Sequence, residues 1–68
     1  MMRGDRVAVA GLDGDVLWLH VVDRCDLSGG WLLLRCILLD HPEQPAPDVP
    51  PEVRVLHRRH ILTVDRPN

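Results

Sequence analysis

Sixty-eight residues make one domain, and a chain of this length buries only about 60% of its unfolded surface, so its core must be small. Ten carboxylates against eight arginines give a formal net charge of −2, which excludes a global electrostatic pull toward nucleic acid or an anionic membrane. Gly29-Gly30 separates the two longest apolar runs and Arg35 interrupts the second, so no stretch approaches the roughly 20 apolar residues that span a bilayer.

In chain order, Met1-Met2-Arg3-Gly4-Asp5 leads into charge, and no export signal is expected. Val7-Ala8-Val9-Ala10 reads as a first strand ended by Gly11. If Asp13-Gly14 is a two-residue hairpin loop, Val9 faces Trp18 and the alanines line the core. If Leu12-Asp13-Gly14 is a three-residue loop with Gly14 left-handed, Val7 and Val9 join Leu17 and Leu19. The second register buries more and is preferred.

Val16–Val22 and Trp31–Leu39 form the central pair of strands, joined by Asp23–Gly30. Side chains alternate between faces in a strand. Leu17, Leu19 and Val21 therefore share one face, as do Leu32, Leu34, Cys36 and Leu38. A register that places Leu19 opposite Leu34 also sets the Arg35 guanidinium over the Trp18 indole. The second face then shows Trp18, His20, Val22, Trp31, Leu33, Arg35 and Ile37, too much apolar surface to leave in water without a partner.

Residues 40–52 carry five prolines and are expected to form an extended loop between strands 3 and 4, because proline cannot donate to a ladder. As a surface connector this segment has no further role, and as a polyproline-like arm it docks on a partner. Val53–Leu56 resumes alternation as a fourth strand. His57-Arg58-Arg59-His60 is a basic turn, Ile61–Val64 a fifth strand, and residues 65–68 a polar tail.

Gly4-Asp5-Arg6-Val7-x-Val9, three central strands, Val53-x-Val55, one basic turn and Ile61-Leu62-Thr63-Val64 together resemble the SH3-like small barrels of Tudor and KOW type. The resemblance covers residues 5–64 and is one of fold, without a diagnostic motif. It implies an all-β, five-stranded SH3-like barrel with a short 3₁₀ turn before the last strand. Tyr and Phe are absent from the chain, so the aromatic cage of Tudor domains has no counterpart and methyl-ligand reading is not implied.

Chemistry-bearing groups are sparse. Cys25 and Cys36 are expected as free thiols in a reducing compartment. His57-x-x-His60 with His41 and the cysteines lacks a paired Cys-x-x-Cys, and neither metal nor cofactor is expected. Cys36 falls on the core face, and no general base is identifiable for Cys25, so catalysis is not expected. Two binding functions remain. In the first, the face of Trp18, His20, Val22, Trp31, Leu33, Arg35 and Ile37 joins a second copy or a larger protein complex. In the second, the tryptophans stack on single-stranded or duplex nucleic acid while Arg35, Arg54, Arg58 and Arg59 contact phosphate, against the acidic balance. All eight basic residues are Arg, which suits a GC-rich genome and a small accessory or structural protein of a phage or other mobile element. Such a protein is expected to be soluble, in the cytoplasm or within a virion.

Overall fold

The structure is a computed structural model and describes residues 1–66; Pro67 and Asn68 of the expected tail lie outside the described residues. Five strands form one antiparallel sheet: β1 (Arg6–Ala10), β2 (Val16–Asp26), β3 (Trp31–Leu39), β4 (Glu52–His57) and β5 (Ile61–Asp65). Their order across the sheet is β4-β3-β2-β1-β5. Two 3₁₀ turns, Ser28–Gly30 and Arg58–His60, lead into β3 and β5. Among the described residues β4 and β5 form no ladder with each other, so the sheet is open.

The first hairpin adopts the register that buries the valines. Val7 lies opposite Leu19 and Val9 opposite Leu17. The Gly11 N–H donates to the Asp15 carbonyl at 2.7 Å, and Gly14 turns the loop at a φ of 82°, a conformation that glycine enters without a Cβ penalty. Val7, Leu19, Val21, Leu34 and Cys36 are fully buried. Val9, Leu32 and Leu56 complete one cluster with them, and Leu17, Ile61 and Met1 pack at its margin. Because Leu56 of β4 and Ile61 of β5 reach the same core as Val7 of β1, the sheet must curl around it. Each fully buried aliphatic side chain contributes about 1.5–3 kcal/mol.

The central pair departs from the expected register. Val21 pairs with Cys36, Leu19 with Leu38 and Trp18 with Leu39; the register then shifts between Val21 and Asp23, and Asp23 pairs with Arg35. Leu19 is thus not opposite Leu34, and Arg35 is not over Trp18. Arg35 instead donates to the Asp23 carboxylate at 3.1 Å. The physical cause is that β2 runs on to Asp26 rather than ending at Val22, so the hairpin closes later, over residues 27–30, and a bulge at Val22 adds one further step to the register. The N-terminal turn occupies Val21 beside the bulge: the Gly4 N–H donates to the Val21 carbonyl at 2.8 Å, and the Val21 N–H to the Asp5 carbonyl at 2.9 Å. The buried Asp5 carboxylate accepts the Met2 N–H at 2.8 Å and holds that turn closed.

At the far end of β3 a second correction appears. Leu38, placed with the core by alternation, is 46% exposed, whereas Leu39 is buried. Leu39 stands beside Trp18, and Trp18 beside the buried Ala8. In the next row Arg6 pairs with His20, and His20 with Ile37. The Arg6 guanidinium donates to the carbonyls of Pro42 (3.0 Å) and Gln44 (2.6 Å). The proline-rich segment is therefore fastened over the Trp18 side of the sheet instead of standing away as an arm.

Candidate interaction surface

The seven residues expected to form one interface divide into two groups. Trp18, His20 and Ile37 belong to the end beneath the Arg6 anchor and are half-buried; Val22, also half-buried, sits at the bulge. Trp31, Leu33 and Arg35 belong to the other end, where β4 continues their face. Trp31 pairs with His57, Leu33 with Val55, and Arg35 with Val53. Val53 and Val55 are 60% and 59% exposed and Trp31 is 42% exposed. The apolar strip open to solvent is thus Trp31, Val53 and Val55 around the half-buried Leu33, and among the described residues it borders the unpaired side of β4.

His57 fixes the geometry of this end. The Arg59 N–H donates to its Nδ1 at 3.2 Å, so in the neutral ring Nε2 carries the proton and donates to the Gly29 carbonyl at 2.9 Å. One imidazole thereby ties the turn before β3 to the turn before β5. The Trp31 indole meets the same ring edge-on, with centroids 5.1 Å apart, a favoured aromatic arrangement. Gly30, at a φ of 83°, passes so close that a Cβ there would stand 3.0 Å from His57 Nε2.

The four arginines expected to contact phosphate do not converge. Arg35 and Arg54 lie on β3 and β4 beside Val53 and Leu34, respectively, and so project to opposite faces. Each has its own carboxylate: Asp23 for Arg35 at 3.1 Å, Glu52 for Arg54 at 3.3 Å. Such exposed pairs add little stability, but they offset the charge a phosphate would meet. Arg58 and Arg59 are exposed in the basic turn. Arg58 also borders a cleft of about 480 Å³ with Trp31, Leu32, Ile61 and the ion-paired Arg24 and Asp26. A second groove, of about 470 Å³, runs between Val55–Leu56 of β4 and Gly11–Leu12 of the first turn.

Among the described residues, two groups titrate away from their ordinary values. Burial pushes the His20 imidazole down, with the Arg6 and Arg3 charges acting in the same direction. Burial pushes the Cys36 thiol up, opposed by Arg54 and aided by Glu52. Cys25, by contrast, is an exposed free thiol at the end of β2, in the row of Leu33 and Val55.

Sequence reasoning missed Val53, Val55 and His57 as parts of this surface. The alternation of Val53-Arg54-Val55 was a signal that the valines share a face. That β4 is an edge strand was not readable from it, because strand order is a long-range property.

No protein-family model, curated protein or solved structure matches this chain. Among the described residues no helix is long and apolar enough to cross a membrane.

Proposed function

We propose that this protein is a non-catalytic interaction module of the SH3-like small-barrel type, which assembles with protein through the Trp31 end of its sheet. Two features support the fold type: β1 lies between β2 and β5, and a single 3₁₀ turn joins β4 to β5. The observation that carries the function is the strip of exposed Trp31, Val53 and Val55 around the half-buried Leu33, beside a strand that among the described residues has no partner on its outer side. An edge strand left apolar is normally blunted by charge or covered, and tryptophan is among the residue types enriched at interface hot spots.

A second reading, single-stranded nucleic acid, draws on Trp31 and Arg58 bordering one cleft. The carboxylates paired with Arg35 and Arg54 weigh against it. Sedimentation velocity of the full chain at low and high salt separates the two. A stable multiple of 7.7 kDa at both salts is expected, since apolar association is not weakened by salt. A monomer that binds single-stranded DNA only at low salt, and loses it on joint Arg58→Ala and Arg59→Ala substitution, would replace the first reading with the second.

A further inference from the structure

Resting on the reading as a protein-association module, we infer that the partner is a second copy of this chain, joined by antiparallel pairing of β4 with β4 about a two-fold axis at Val55. A two-fold interface places the same patch on both subunits, so each residue must suit its own mirror position in the strand. β4 meets that condition through its charge order. Glu52 stands at its start, and Arg58 and Arg59 follow its end. Antiparallel pairing brings each acidic end to the other copy's basic end, whereas parallel pairing sets like beside like.

The register follows from the side chains. With Val55 on the axis, Val55 faces its own copy, Val53 faces His57, Arg54 faces Leu56, and Glu52 faces Arg58. A shift that centres Arg54 puts two guanidinium groups directly opposite each other, and one that centres Leu56 sets Arg54 against Arg58. Like charges opposite one another destabilise a strand pair. Glu52 already accepts from Arg54 through Oε1 at 3.3 Å, and its Oε2 is left to accept from Arg58 of the second copy. The pairing also runs the apolar strip on without a break: Leu33 and Val55 of one copy meet Val55 and Leu33 of the other, with a Trp31–His57 pair beside Val53 at each end.

Cross-linking tests both partner and register, in a Cys25→Ser background that leaves only the buried Cys36. Directly opposed residues have Cα atoms about 4.5–5.5 Å apart, inside the range a disulfide spans. Val55→Cys should therefore oxidise to a covalent dimer. Val53→Cys should not, because the two Val53 positions lie about 13 Å apart along the strands. Val55→Arg, at an exposed position that the monomer does not need, should keep the circular dichroism of the parent and weaken the dimer about tenfold or more.

A parent that is dimeric by sedimentation but cross-links equally at both positions, or at neither, overturns the β4 pairing while leaving association through another surface. Open-ended polymers that grow with concentration also overturn it, and point to pairing of β4 with β5. A parent that stays monomeric at every concentration overturns the self-partner, and the nucleic-acid titration above then decides whether the association reading falls with it.

Discussion

Single residues carry more of this fold than its size suggests, and His57 is the main case. Both ring nitrogens are engaged, and the ring is a wall against which Gly30 and Trp31 are set. Gly30→Ala should therefore destabilise by about 1–3 kcal/mol, through a positive φ and a Cβ driven into the imidazole. Gly14→Ala has the same backbone strain but open space around it, and should cost about 1 kcal/mol. Urea midpoints of the two variants isolate the His57 contact; equal losses would mean that the ring moves aside freely. His20 gives a pH signature. Its folded pKa is lowered from 6.5 by burial and by Arg6 and Arg3, so below 6.5 the unfolded chain binds the proton first. Stability is then full above about pH 6.5 and falls as the pH drops through that value, levelling once the folded imidazole also charges. His20→Gln should remove this component from a series of urea midpoints between about pH 8 and about pH 5. An unchanged slope would show that His20 does not contribute to it.

At the scale of elements, the bulge at Val22 and the Arg6 anchor decide what the two faces become. The ladder continues past Val22 to Asp26, which removes Arg35 from Trp18, and the bulge moves Arg35 from Val22 to Asp23. Arg6 donates to two carbonyls of the proline-rich segment from a side chain whose Nε is buried without a partner among the described residues. Arg6→Gln should release residues 40–51, seen as faster proteolytic cleavage there and a red-shifted Trp18 emission, with a loss of about 1.5–3 kcal/mol from the charged donor. If cleavage is no faster, the segment is held by packing alone. Alternation predicted four of the five strands within a residue or two of their bounds, because local face preference is written in neighbouring side chains. It missed the extra β2 residues, since Asp23–Asp26 is polar and pairs only because β3 is already beside it.

For the whole molecule, the curled sheet leaves two unequal problems. At the Trp18 end the chain's own proline-rich segment is anchored by Arg6, while the exposed strip at the Trp31 end has β4 at its border. A dimer through β4, as proposed, would double the sheet into a continuous structure of ten strands, counted from the five of each copy. The sequence by itself determined the all-β class, the valine register of the first hairpin, the burial of Cys36 and the basic turn before the last strand. Each of these depends on side chains within one strand, one turn or one short hairpin. Only the tertiary structure decided which apolar face is covered, which strand lies at the edge, and which arginine meets which carboxylate. Those depend on contacts between segments such as Arg6 and Pro42, or Gly29 and His57, and no local pattern records the order in which strands come to lie side by side.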